Sequence, residues 1–325
     1  MYDVFSLKQH LTSDMQKPVF VFVNPYCHGG AGWKRWQAIR NEVGKRLPGA
    51  AEIITESVSE MANRAGEILA TIHQGTFVSA GGDGSMHQLA NVLLRSGRAS
   101  DIGLGAVGLG SSNDFLKPFQ ACIGKVPVRI NVVKDTLQDV GEVSYQDSFR
   151  TPQQKYFLIN ASIGVTAEGN QRFNHPGFFI KWLKKRSTDA AIPLTALSTI
   201  LTHRNRRLRI RYNDIDSDMQ VSNIHLLRSR FVSGNLRYPQ GPQSEAGLLG
   251  LHICRSMSKW QLIQTLIQLG QGNFEPSENR LSTFTDRLEI LCSEPLVFEC
   301  DGETAEGSML KFSVKNQAIK LLGSD

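Results

Sequence analysis

The sequence is poor in the residues that build stapled, metal-bound or membrane-spanning proteins. Its 325 residues include five cysteines, Cys27, Cys122, Cys254, Cys292 and Cys300, scattered and with no C-x-x-C pair. That spacing supports neither a disulfide framework nor a zinc site, so reduced thiols are expected. The eight histidines are equally dispersed and form no H-E-x-x-H or similar cluster, which argues against a transition-metal centre. No apolar run approaches the ~20 residues needed to span a bilayer. Residues 1–16 lack the basic-then-apolar order of a secretory signal. There is no internal repeat, no low-complexity tract and no Walker A sequence, since Gly32 runs into Trp33 rather than into Gly-Lys-[Ser/Thr]. Together these absences predict a cytoplasmic protein.

What is present is ordinary globular material, 41% hydrophobic and 20% charged. It suffices for a sizeable core, and the length suggests two domains. A wholly disordered or fibrous chain is excluded. The formal net charge of +6 suits nucleic acid, anionic lipid or a phosphate-bearing substrate without choosing among them.

The first third alternates strand and helix signals. Val19-Phe20-Val21-Phe22-Val23 reads as a buried strand stopped by Asn24-Pro25. A glycine-rich stretch, a helix over 33–47, a strand over 51–55 and a helix opened by Ser57 and Glu60 at capping-box spacing follow. A strand over 76–79 runs into Gly81-Gly82-Asp83-Gly84; after it come another helix and a strand over 102–107. This rhythm predicts a Rossmann-like parallel sheet with helices on both faces. Beyond about residue 117 short strand-like runs succeed one another, at 128–133, 156–160, 207–212, 224–228, 248–254, 288–292, 296–300 and 309–314. Helical insertions are predicted near 177–201 and 258–270. The fold expected is therefore an N-terminal α/β nucleotide-binding domain (1–125) and a C-terminal antiparallel β-sandwich domain (126–325) that receives the substrate.

Gly81-Gly82-Asp83-Gly84-Ser85 is the sharpest local feature. Its glycines let backbone N–H groups approach phosphate oxygens, Asp83 can hold magnesium, and the following helix adds its positive N-terminal end. The same string also serves as a plain strand-to-helix turn. Asn24-Pro25 followed by Gly29, Gly30 and Gly32 forms a second nucleotide-loop candidate. A third is Gly108-Leu109-Gly110-Ser111-Ser112-Asn113-Asp114-Phe115, where Asp114 can bond metal-bound waters or cap a turn. Ligands of open α/β sheets bind outside the carboxyl ends of the strands, which places all three turns around one cleft. The run 103–108 matches G-x-G-x-x-G literally, but its apolar residues make it a strand rather than a loop.

The three turns, in this order and spacing, resemble the diacylglycerol kinase catalytic domain family, with its N-P-x-[S/A]-G-x-G-like, G-G-D-G-T and P-L-G-T-x-N-D-F-A-like segments. Phe157 to Gly164 is similar to the segment that opens the lipid-side domain, and Asp301-Gly302-Glu303 to a terminal D-G-E signature. The resemblance implies ATP bound by Asn24, Pro25, Gly30, Gly32, Gly81, Gly82, Gly84, Ser85, Gly110, Ser111 and Asn113, with Mg²⁺ near Asp83 and Asp114. Catalysis would fall to Asp83, to Glu303 as general base for a lipid hydroxyl, and to Asp301 supporting its turn. The sequence departs from the family at Gln88, where relatives often carry glutamate. Another departure is the stretch 246–250, Ala-Gly-Leu-Leu-Gly, which lacks the acids of an accessory magnesium site.

The function so implied is an ATP-dependent lipid kinase acting on a lipid such as diacylglycerol. A non-catalytic nucleotide or lipid sensor, a sphingoid-base kinase and an NAD kinase-like activity stand as alternatives. Between Arg172 and Arg211 lie Lys181, Lys184, Lys185, Arg186, Arg204, Arg206, Arg207 and Arg209, interleaved with Phe173, Phe178, Phe179 and Trp182. This stretch suits either the inner face of a membrane or a solvated charged surface. No nucleic-acid module accompanies it, and a homodimer is compatible with the sequence.

Overall fold

The alternating run Val19–Val23 forms strand β1, and its two faces enter different cores. Phe20 and Phe22 join Phe77, Leu89 and Leu93, whereas Val21 and Val23 join Trp36, Ile39 and Val43. Successive strand residues point to opposite faces, so a strand apolar at every position must be covered on both sides. Phe77 packs edge-on against Phe20 and Phe22, with ring centroids 5.8 and 5.0 Å away. Truncating such a buried aromatic costs about 3–5 kcal/mol.

The computed structural model describes residues 17–175, 188–242 and 247–324. After β1 come α1 (Gly32–Arg46), β2 (Ala51–Ile54), α2 (Val58–Leu69), β3 (Gly75–Gly81), α3 (Asp83–Arg95) and β4 (Ile102–Gly108). β1 pairs in parallel with β2 and β3, and β3 with β4. The α2 start uses the predicted capping spacing, with Glu60 N donating to Ser57 Oγ at 3.0 Å.

Strands dominate thereafter. A short hairpin, β5 (Ala121–Ile123) and β6 (Val126–Arg129), turns back onto β4. Then follow β7 (Asn131–Gln146), β8 (Pro152–Phe157), β9 (Asn160–Gly164), α4 (Val165–Asn174), α5 (Thr188–Thr202), β10 (Arg206–Tyr212) and β11 (Ile215–Leu227). The chain closes with β12 (Phe231–Ser233), β13 (Leu236–Arg237), β14 (Leu249–Arg255), α6 (Lys259–Gln271), β15 (Arg280–Thr285), β16 (Arg287–Leu291), β17 (Leu296–Cys300) and β18 (Glu303–Gly323). The protein is thus a mixed α/β fold whose C-terminal half is strand-rich.

Two architectural expectations are corrected. No Rossmann-like sheet stands apart: the parallel strands belong to one 16-stranded network, because β18 reaches β4 through Leu321 and Leu104. Nor do the C-terminal strands form a sandwich of facing sheets. β11 pairs with β9, β9 with β17, β17 with β18, β18 with β16, β16 with β10, and β10 with β11 again. This antiparallel circuit closes on itself around Ile163, Ile210, Ile224, Ile290, Phe298 and Phe312. Closure removes exposed edges, and long bent strands such as β11 and β18 make it possible by changing partners along their length.

The predicted basic stretch divides. Lys181, Lys184, Lys185, Arg186, Phe178, Phe179 and Trp182 lie outside the described residues, as do residues 1–16 and Ala246. On β10 the arginines are matched by acids of the next strand: Arg209 Nε meets Asp216 Oδ1 at 2.9 Å, Arg211 Nε meets Asp216 Oδ2 at 2.8 Å, and Arg207 pairs with Asp218 at 3.2 Å. These β10 arginines form a solvated, charge-paired face. Among the described residues, no helix is long and apolar enough to cross a membrane.

Candidate active site

The loops after β3 and β4 approach each other backbone to backbone. A Cβ built on Gly110 would lie 2.6 Å from Gly82 Cα, so Gly110 excludes a side chain, and one on Gly82 would lie a tight 3.3 Å from Gly110 Cα. Asn113, at φ 50°, holds the second loop closed by donating through Nδ2 to Gly108 O at 3.2 Å and Gly110 O at 3.1 Å. The loop after β1 joins them, since Asn24 Nδ2 donates to Ser85 Oγ at 3.1 Å. Gly32 opens α1 and is sealed against Cys27 and the Asn24 carbonyl, while Gly30 lies in the open stretch of the loop at φ 95°. Pro25 contributes its carbonyl to Trp33 N at 3.0 Å. Ser111 is exposed. All three predicted turns therefore meet at the carboxyl ends of β1, β3 and β4.

Asp83 is the first residue of α3, and its Oδ1 accepts from Phe115 N at 3.1 Å. Burial, reinforced by the neighbouring carboxylates of Asp114 and Asp301, pushes its pKa up to about 6. Its two neighbours are better compensated. Asp114 Oδ1 accepts from Lys117 Nζ at 2.6 Å and Oδ2 from Gly234 N at 3.0 Å, and Lys117 also donates to the Gly234 carbonyl. Asp301 Oδ1 accepts from Ile159 N at 2.8 Å and Asn160 N at 3.1 Å; Oδ2 accepts from Leu158 N at 2.8 Å and lies 3.0 Å from His87 Nδ1. Of the three carboxylates Asp83 has the least compensation, and it is where a bound cation would gain most.

Among the described residues, no group of three or more His, Cys, Asp or Glu side chains is arranged to hold a metal alone. Magnesium does not require one, because it usually takes one or two carboxylates plus substrate phosphates and water. An under-compensated, half-buried carboxylate beside a glycine-lined turn fits that donor set.

Glu303 begins β18 and is solvent-exposed. Its Oε1 lies 3.4 Å from where a Gly84 Cβ would stand, so a carboxylate from the far end of the chain faces the first turn of α3. Asp301 places it there. Its residue adopts φ 51°, its N–H donates to Asn160 O at 2.9 Å, and its side chain ties the turn to the start of β9. Behind the turn sits Glu299, whose Oε2 accepts from Gly302 N at 2.6 Å and whose pKa burial drives up to about 8.

Several residues here leave no mark in the sequence. Arg35 donates through Nη1 to Leu109 O at 2.9 Å and Gly110 O at 2.6 Å, clamping the third turn. His87, Lys117 and Glu299 carry no motif. Only the position of His87, four residues after Asp83 on the same helix, hints that it shares the face of α3 turned toward the site.

The sequence comparison gives the decisive observation. Residues 18–140 match the diacylglycerol kinase catalytic domain family. This span takes in all three glycine-bearing turns, Asp83 and Asp114, and it ends well before Asp301 and Glu303. The family is one of lipid kinases. No curated protein matches the sequence. Among solved structures, a diacylglycerol kinase from Bacillus anthracis str. Sterne is 13% identical with a TM-score of 0.65, covering 96% of this chain and 98% of its own. Two further structures of that kinase class from the same organism are each 14% identical, with TM-scores of 0.67 and 0.66 and the same coverage. At such identity the likeness is one of fold, and it extends beyond the diacylglycerol kinase domain to nearly the whole chain.

Proposed function

We propose that this protein is an ATP-dependent lipid kinase that phosphorylates a hydroxyl of a membrane lipid. The observation that carries the reading is the Glu303 carboxylate facing Gly84, which brings a general base to the edge where a γ-phosphate would lie. The glycine turns after β1, β3 and β4 would cradle the phosphates through backbone N–H groups, assisted by the N-terminal end of α3. Asp83, with Asp114 behind it, would hold magnesium, which supplies charge neutralisation for the phosphate oxygens.

In transfer, the lipid oxygen bonds to the γ-phosphorus while the bond from that phosphorus to the β,γ-bridging oxygen breaks. ADP leaves with the bonding pair, and the hydroxyl proton passes to Glu303. Most of the rate gain comes from positioning and charge neutralisation rather than covalent chemistry. Exposed Leu197, Leu201 and Trp260, with Arg204 exposed close by in sequence, support collection of the lipid by a peripheral protein at the cytoplasmic membrane face.

Gln88 favours a second reading, a nucleotide or lipid sensor, because a neutral amide lies in the cleft beside Glu303. Incubation with γ-labelled ATP, magnesium and mixed micelles separates the two. Label in the lipid phase supports the kinase, whereas label in added NAD, or in nothing while ATP binds, rejects it.

A further inference from the structure

Beyond Glu303 a cleft of about 270 Å³ runs along α3, lined by His87, Gln88, Asn91, Val92 and Arg95 on the helix and by Lys155 and Glu303 opposite. It begins at the glycine turn, where Glu303 meets Gly84, and reaches Arg95 in the last turn of the helix. A helix rises about 16 Å over that stretch. The two cations face the cleft from opposite walls, Arg95 from the helix and Lys155 from the strand, and Arg95 Nη2 bridges the walls by donating to Gln154 O at 3.1 Å. Among the described residues, neither cation has an ion-pair partner.

The lining is unsuited to an apolar occupant. Val92 is its one aliphatic side chain, and Asn91 is already committed to His87 O and Tyr156 O, each at 3.0 Å. Glu303 is the only carboxylate facing two cations. A neutral glyceryl ester would displace water from the two charges and return only the weaker hydrogen bonds of neutral oxygens. An anion would receive charge-assisted hydrogen bonds from both.

We infer that this cleft is the acceptor head-group subsite, and that the acceptor is a lipid carrying a phosphate in the same head group as the reacting hydroxyl. Lys155 and Arg95 contact that phosphate and set the specificity; the inference rests on the kinase reading above. The head-group oxygen forms its bond to the γ-phosphorus as the Pγ–O bond to ADP breaks, and its proton goes to Glu303. The product keeps its original phosphodiester against Lys155 and Arg95 and gains a phosphomonoester at the glycine turn.

The test compares a phosphodiester lipid with a hydroxyl-bearing glycerol head group against diacylglycerol, at equal mole fraction in neutral micelles. Wild type is expected to favour the phosphate-bearing lipid in kcat/KM by about tenfold or more. The Lys155→Gln, Arg95→Gln double variant should lose that preference, its kcat/KM falling about tenfold further on the phosphate-bearing lipid than on diacylglycerol. Preference for diacylglycerol, or an equal fall on both acceptors, overturns the inference and leaves the kinase standing. A binding arm is independent of turnover. Glu303→Gln should bind neutral micelles doped with the phosphate lipid more tightly than undoped ones, and adding the double substitution should abolish the difference. If no acceptor is labelled, the kinase reading fails, and this arm alone decides the subsite: an unchanged difference overturns it.

Discussion

His87 Nδ1 and Asp301 Oδ2 lie 3.0 Å apart across 214 positions of sequence, joining the helix after the glycine turn to the turn that carries Glu303. The Asp301 carboxylate oxygen can only accept, so His87 Nδ1 carries the proton of this contact and donates it. Both partners are buried. The contact fixes the glycine turn and the proposed general base, Glu303, relative to each other, as in-line transfer would require.

Removing Asp301 should therefore damage stability and chemistry together. Asp301→Ala strands the N–H groups of Leu158, Ile159 and Asn160 and is expected to cost about 3 kcal/mol or more in urea denaturation. His87→Gln should cost less and lower kcat with little change in the KM for ATP. A stable Asp301→Ala protein with normal kcat would show that the tie is ornamental.

Asp83 should show the opposite pattern. Its pKa, raised to about 6 in the fold, makes the ionised carboxylate a net cost to the metal-free protein at neutral pH. In chelator at pH 7.5, Asp83→Asn is expected to be at least as stable as wild type, with the advantage fading as pH falls toward the ordinary carboxylate range. Magnesium-dependent transfer should nevertheless fall by roughly 10²-fold or more. Denaturation midpoints and turnover measured on one preparation decide this; a less stable variant that still transfers phosphate contradicts it.

Glu299 predicts a pH dependence of stability. With its pKa raised from 4.5 to about 8, the folded form binds a proton that the unfolded chain has released throughout that window. Stability contributed by this group is thus lost as pH rises from about 4.5 to 8 and is flat above. Glu299→Gln should be less sensitive to pH across that range. Thermal melts of both proteins from pH 5 to 9 test the sign, and parallel curves throughout would refute it.

The C-terminal half is expected to be indifferent to metal removal. Arg228 and Asp139 are buried 3.7 Å apart, and Arg228 Nη1 donates to Leu248 O at 2.5 Å in the segment that lacks acids. Asp139 in turn accepts from Gly247 N and Gln317 N, each at 2.9 Å. The local cation is thus supplied by the chain itself. In an Asp83→Asn background chelation should leave Tm unchanged, whereas Arg228→Met should cost about 3–5 kcal/mol by removing the cation that faces Asp139. A fall in Tm on adding chelator would point to a metal in this region.

What can be read from sequence is local. Gly82, Asp83 and Gly110 announce themselves because a glycine turn after an apolar strand leaves a short pattern, and β1, β3 and β4 because continuous apolar runs mark doubly covered strands. β7 and β18 are visible only in fragments. Their outer stretches, Val132 to Leu137 and Lys315 to Gln317, are polar or exposed, so they break the apolar alternation that signals a strand. α4 escapes for a similar reason, since Val165 to Asn174 is mostly polar and buries only Ala167 completely.

The partners of the site residues are illegible on other grounds. Asp301 reads as a tight turn because its ligands are backbone N–H groups, which nearly every residue has. Glu299 sits inside an apolar strand, where only the fold reveals that its carboxyl closes the turn. The circuit from β9 through β17 and β18 depends on pairings between distant segments, and no residue type encodes them.

The most direct test of the central claim is single-turnover transfer of the γ-phosphate to micellar lipid by wild type and by Glu303→Gln, with ATP affinity measured in parallel. The account predicts labelled lipid with wild type, a loss of roughly 10²-fold or more in Glu303→Gln, and unchanged ATP binding. Equal transfer by the two proteins would contradict it, because Glu303 could then not be the base that accepts the hydroxyl proton.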